Sequence, residues 1–285
     1  METSTGLTIL GTAIGSAKLI ERMLGPTADY IGGGVEVWTK KRVDNVTRIF
    51  RHARDKLGEK IKVDGAVPPR VLKEILQEGS FCDDELAAEY FGGVLASSRS
   101  QISRDDRGAA FARLIGRLTT YQIRSHFILY SVVKNAFEGQ SILINTPEGP
   151  GKLTTYLSRS SYAACMDLSA NEDVLVIIGH ALFGLERENL LNTFISTTKE
   201  DLAKNYGVEV EENGIVFQPS TLGVELFLWA HGRREIPVWE FLYSTTDLGA
   251  FPAIEVKVQF KTLSKQFETS SSLSKKKMKK RNSLS

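Results

Sequence analysis

The sequence predicts a mainly α protein, with a helical N-terminal domain followed by a winged-helix-like α+β module. Three observations carry this reading. Apolar residues recur at three- and four-residue steps through most of residues 1–138. After Gly139 the composition shifts to short β-prone runs and loops. Late in the chain, two short apolar runs flank Glu212-Asn213-Gly214, a hairpin turn signal. The predicted divisions are 1–138, 139–263 and a polar tail, 264–285.

The first helix is read from the stripe Leu7, Leu10, Ile14, Ala17, Ile20 and Leu24, stopped by Gly25-Pro26. Gly32-Gly33-Gly34 then costs a helix about 3 kcal/mol relative to alanine, which predicts a break or hinge. Val43, Val46, Phe50, Ala53 and Leu57 form the buried face of a second helix, with Asp44–Arg48 and Arg51–Asp55 as i,i+4 pairs on its exposed face. Pro68-Pro69 opens a short helix that Gly79 closes. Ser80-x-x-Asp83 resembles a capping box ahead of Leu86, Tyr90, Phe91, Val94 and Leu95. Ser103-x-x-Asp106 starts a helix carrying Phe111, Leu114, Ile115 and Leu118, and another follows from Thr120 to Phe137.

In the second part, Ser141–Asn145 reads as a short strand. Helical pattern returns at 154–166 and 174–185. Thr197, with Glu200 three residues on, has capping-box form. Val208–Val210 and Ile215–Phe217 read as a hairpin, and Leu222–His231 as a helix. Helix, helix, hairpin and helix over 171–231 is the basis of the winged-helix-like reading. Ile254, Val256, Val258 and Phe260 alternate with polar residues, as in a half-buried strand. The Ser-rich, then Lys-rich residues from Ser264 onward predict disorder.

Composition bounds the function. With 285 residues, 42% hydrophobic and 25% charged, the chain has the make-up of an ordinary globular protein, not of a fibre or a disulfide scaffold. Cys82 and Cys165 read as buried thiols. Met1-Glu2-Thr3-Ser4-Thr5 lacks the positive start of a secretory leader, and Thr5–Leu24 is interrupted by Lys18, Glu21 and Arg22. The expectation is a cytoplasmic protein, at most peripheral to the inner membrane.

No catalytic, metal or cofactor site is assigned. His52, His126, His180 and His231 have no second His or Cys at ligand spacing. Pro150-Gly151-Lys152 fails as a phosphate loop because Thr146 and Leu153 stand where Gly and Ser or Thr are required. Ser131-x-x-Lys134 lacks the companion motifs of the enzymes that use it. Asp83-Asp84-Glu85 is read as compensating a helix dipole. The expectation is a protein that is not an enzyme.

Charge is the more informative signal. The net +2 combines opposing regions. Residues 38–73 hold 11 Lys and Arg against 4 Asp and Glu, densest at Lys40, Lys41 and Arg42. Residues 185–240 hold 5 against 10, which argues against a DNA-reading wing. The tail concentrates Lys275, Lys276, Lys277, Lys279, Lys280 and Arg281. These nine residues are the candidate contacts to an anionic partner.

An ordered set of motifs resembles the abortive-infection alpha (Abi-alpha) family. It comprises Leu24-Gly25-Pro26-Thr-Ala-Asp29, Trp38-Thr-Lys-Lys-Arg42, Val67-Pro68-Pro69-Arg-Val-Leu72, Asp83-Asp-Glu-Leu86 with Phe91-Gly-Gly-Val-Leu-Ala96, Leu118-Thr-Thr-Tyr-Gln-Ile123, and Gly214-Ile-Val-Phe217 running into Thr221-Leu-Gly223. The likeness spans about residues 18–230. It implies a bacterial phage-defence protein of poorly defined mechanism, without established catalytic residues. Taken with the missing catalytic constellations, it leads to the expectation of action through a protein partner, a phage component or an anionic surface. Gly32-Gly33-Gly34, Gly92-Gly93 and the basic tail depart from the family pattern. Two alternatives stand beside this expectation: nucleic-acid binding through the basic helices and tail, and association with an anionic membrane surface through the N-terminal amphipathic helix. A homo-oligomer is a further partner class.

Overall fold

A computed structural model describes residues 40–102, 104–249, 251, 256 and 258–263. The predicted first helix, the Gly32–Gly34 break and the basic tail lie outside the described residues. The described chain is mainly helical, with one small four-stranded antiparallel sheet. No helix among the described residues is long and apolar enough to cross a membrane.

The contacts divide into two compact units, each discontinuous in sequence. The first takes the described residues up to Ile123 together with Glu225–Ile236 and the described residues between 247 and 251. It begins with α1 (Lys40–Leu57), a 3-10 turn (Gly58–Lys62), α2 (Pro69–Gly79), α3 (Glu85–Ser98) and α4 (Gly108–Arg117). The predicted face of α1 is the buried one: Val46, Phe50 and Ala53 are fully enclosed, joined by Ile49. That face packs on α3, which is buried from Leu86 to Ser98 without a solvent-facing side.

Enclosure of α3 explains Gly92 and Gly93. A Cβ at Gly92 would press into His52 Cβ and the Ile49 carbonyl of α1. A Cβ at Gly93 would coincide with the Ala230 carbonyl. Poor helix formers stand here because two backbones approach this helix closely. Ser97 Oγ donates to the Trp229 carbonyl (3.1 Å), and the Trp229 ring lies 4.8 Å from Phe111. The cap of α3 is four residues later than the Ser80 that the Ser80–Asp83 pattern predicts: the Asp84 side chain accepts from Ala87 N at 2.8 Å. Ser80 is buried instead, and Asp83 Oδ1 accepts from Asn45 Nδ2.

The second unit takes Arg124–Val224, Pro237–Thr246 and the described residues between 256 and 263, so its boundaries with the first fall inside α5 (Thr120–Phe137) and between Val224 and Glu225 of the last helix. After α5 come α6 (Gly149–Lys152), β1 (Thr155–Ser158), α7 (Arg159–Met166), α8 (Val174–Arg187), β2 (Leu191–Thr197), α9 (Lys199–Tyr206), β3 (Gly214–Pro219), α10 (Thr221–Ala230) and β4 (Phe260–Thr262). The sheet order is β2-β3-β1-β4. The register pairs Leu157 with Ile215, Phe194 with Phe217 and Thr155 with Thr262.

Several expectations are corrected here. Residues 141–145 are irregular chain running into a turn at Ile144–Asn145, not a strand. The helix expected at 154–166 begins as strand β1, and Ser158 then caps α7 by accepting from Ser161 N. The hairpin across Glu212–Gly214 does not form. β3 already has β1 on one edge and β2 on the other, so Val208 and Val210 have no strand to pair with. They pack instead against the core of Tyr156, Leu202, Val216 and Leu263. The helix expected at Thr197 is capped by Thr198, which accepts from Asp201 N. Of the strand expected at 254–260, only its end is seen, in β4 at Phe260–Thr262; Ile254, Glu255 and Lys257 lie outside the described residues.

Glycine substitutions test the enclosure of α3. Gly93→Ala is expected to lose about 1–3 kcal/mol in urea denaturation through overpacking. Gly179→Ala on α8, where a Cβ meets nothing within 4 Å, is expected to gain about 0.5–1 kcal/mol. Effects of the same sign at both positions would contradict the packing described.

Candidate functional site

The predicted anionic-partner residues are not brought into one site. Lys40 and Lys41 stand on the first turn of α1, and their side chains lie outside the described residues. Arg42 turns inward: its Nε donates to Ser80 Oγ at 3.3 Å and its guanidinium lies 4.1 Å from the Phe81 ring centre. Lys275, Lys276, Lys277, Lys279, Lys280 and Arg281 lie outside the described residues.

The other cations of residues 38–73 are largely committed within the chain. Arg48 pairs with Glu85 at 3.3 Å and donates to the Cys82 and Asp83 carbonyls. Arg54 pairs with Asp55, Lys60 with Glu235, Lys62 with Glu59 and Arg70 with Asp106. These exposed pairs add little stability each, but they neutralise much of the positive charge. Arg51 and Lys73 are exposed, and neither has an ion-pair partner among the described residues.

A different set of charges is gathered in the first unit. His52 and Lys56 stand one turn apart on α1, and Glu85 and Glu89 one turn apart on α3. Glu89 is the only charged residue between Leu86 and Ser98, and its side chain is 3% exposed. Its Oε1 lies 3.2 Å from His52 Nδ1, and its Oε2 lies 2.6 Å from Lys56 Nζ. His52 Nε2 reaches Glu85 Oε1 at 2.8 Å. Lys56 Nζ also lies 4.2 Å from the centre of the Phe251 ring, a cation–π contact. His231 packs against that ring at 4.5 Å, and its Nδ1 donates to the Phe227 carbonyl at 2.7 Å.

These groups open into a pocket of about 430 Å³ lined by His52, Lys56, Glu89, His231 and Arg233. Arg233 Nε is buried without a hydrogen-bond partner, and its guanidinium stands 3.8 Å from Asp247.

Proton affinities follow from the geometry. Burial opposes charge on His52, but the hydrogen bond and charge of Glu89, aided by Glu85, outweigh it and hold the imidazole above 6.5. Burial would raise Glu89, yet His52 and Lys56 hold it below the usual carboxylate value. Burial lowers Lys56, and Glu89 offsets this only in part. Burial dominates at His231 and pushes it down to about 3, so that imidazole is neutral. The chemistry on offer is charge pairing and proton linkage. Among the described residues no three His, Cys, Asp or Glu side chains are grouped to hold a metal ion.

Sequence reasoning passed over this cluster. The signals were present as two i,i+4 pairs, His52/Lys56 and Glu85/Glu89, and as a lone carboxylate in an otherwise apolar helix. Their pairing needs the α1–α3 crossing, which spacing alone does not reveal. The chain matches no protein-family model, and neither a curated protein nor a solved structure is found to be similar to it.

Two measurements test the cluster. Glu89→Gln leaves Lys56 and His52 without their shared anion and is expected to cost about 3–5 kcal/mol in denaturant. His52→Gln tests the sign of the proton linkage. A raised folded value makes the contribution of His52 complete below 6.5 and lost as pH rises through the folded value. The variant's deficit is therefore expected to be larger at mildly acidic pH than at alkaline pH. A deficit that grows with alkalinity would overturn the assignment.

Proposed function

We propose that this protein is a phage-defence effector of the abortive-infection type, and that it acts by binding rather than by catalysis. The partner is anionic, and the basic tail is its main contact. Charge distribution carries this reading. Six cations fall within residues 275–281, whereas the described cations of α1 and the following turn are largely spent on internal pairs. A cation already paired must give up its carboxylate to meet a phosphate, so it adds less affinity than an unpaired one.

The Abi-alpha-like motifs support the defence role through their order in the chain. Those at Val67–Leu72, Asp83–Leu86 and Gly214–Gly223 fall on fold-determining positions: the start of α2, the Asp84 cap, and β3 leading into α10. On this reading the resemblance is one of scaffold, and specificity lies in parts such as the tail.

The test is a phage challenge of cells carrying the intact chain, a chain with the six tail cations changed to Gln, and no gene. Protection by the intact chain and loss of it in the Gln variant, at equal abundance and thermal stability, is the expected outcome. Equal plating and survival in all three would sink the defence role. Protection retained by the Gln variant would remove the tail from it. For a nucleic-acid partner, the same six substitutions should flatten the log–log salt slope by up to about five.

A further inference from the structure

We infer that β2 is a homodimerisation edge, at which a second copy of this chain adds its own β2 antiparallel across a two-fold axis. This surface belongs to the second unit and is independent of the tail.

Among the described residues β2 is hydrogen-bonded on one side only, to β3. Its irregularity is confined to Leu191–Thr193, so the run from Thr193 to Thr197 keeps a regular register and an unpaired outer row of N–H and C=O groups. Edge strands of soluble proteins are usually protected by shortness, charge, proline or a bulge along the edge. The opposite edge of this sheet follows that rule: β4 has three residues and carries Lys261. β2 has seven residues, and the run Asn189–Thr198 contains no charged residue and no proline. Two copies of such an edge oppose no like charges. An antiparallel edge is also complementary in donors and acceptors to its own copy, which makes the contact isologous.

Apolar surface continues from this edge. On α8, Leu175, Gly179 and Phe183 form one row with Val176 beside it, a stripe on the outer face of the helix. Leu175, Val176 and Phe183 are 56%, 67% and 66% exposed. The Phe183 ring meets Phe194 of β2 edge-to-face at 4.9 Å, which joins the stripe to the strand. On the opposite face of the strand Ile195 is 42% exposed. An added strand would cover main-chain groups at the edge while these side chains bury apolar area on both faces.

Sedimentation velocity of the full chain, at concentrations up to about 100 μM, tests the proposal. The expected species contains two copies of the 31.6 kDa chain. Ile195→Lys places a charge on the edge, and Phe183→Asp places one on the stripe. Each should shift the population to monomer with circular dichroism at about 25 °C unchanged, because both side chains are exposed, and with a lower melting temperature only to the extent that association stabilised the wild type. Phe260→Lys on the β4 edge should leave the dimer intact. A monomer throughout the concentration range, a dimer that persists in both Ile195→Lys and Phe183→Asp, or dissociation caused by Phe260→Lys would each overturn the inference.

Discussion

A helix enclosed on all sides can hold a carboxylate only if cations are brought to it. Glu89 of α3 imposes that requirement on the first unit. Its two oxygens lie against His52 and Lys56, both on α1, so the ion pairs can form only at one relative setting of the two helices. Gly92 and Gly93, in the next turn of α3, remove the side chains that would hold the neighbouring backbones away. Close approach and charge pairing therefore depend on each other. Without the glycines the cations would stand too far from Glu89, and without the cations the approach would bury an uncompensated charge. Buried ion pairs of this kind contribute little net stability compared with a well-packed apolar core, but they penalise other arrangements heavily. Their effect here is to favour one helix packing over its competitors.

Local periodicity made much of the helical part legible. The buried face of α1, the proline start and glycine end of α2, and the extents of α5 and α10 all follow from apolar spacing and from backbone constraints on Pro and Gly. What stayed hidden depends on partners distant in sequence. β2 has three apolar residues, Leu191, Phe194 and Ile195, and no two of them stand two apart, so it lacks the alternation that marks a strand, and it exists because β3 pairs with it. Asn213-Gly214 does end a connection, but Asn213 ties down α7 and α9 by accepting from Arg159 N and Lys199 N instead of closing a hairpin. Gly92-Gly93 looked like a defect by helix propensity and proved to be a packing requirement. The charged cluster was unreadable for the same reason, since each of its residues has an ordinary local explanation.

Charge arithmetic along the sequence overstated the basic character of the first unit. An excess of Lys and Arg within a window says nothing about where the compensating carboxylates fold to. Glu85 and Asp106 come from outside the window to Arg48 and Arg70, and Glu235 reaches Lys60 from 175 residues away. Residues 185–240 show the converse: Glu235 is spent on Lys60, but Arg233 and Arg234 are spent on Asp247 and Asp105, so the acidic excess there persists.

The two imidazoles of the pocket have a thermodynamic consequence of their own. In the folded chain His52 favours its proton and His231 refuses one. Released into water, both return to the same ordinary affinity. For this pair, unfolding expels a proton on the alkaline side of that affinity and takes one up on the acid side. The measured heat of unfolding then includes the buffer's own heat of ionisation, with opposite signs on the two sides. Calorimetry in buffers of differing ionisation heat would read this pair as a reversal of sign, located close to neutrality.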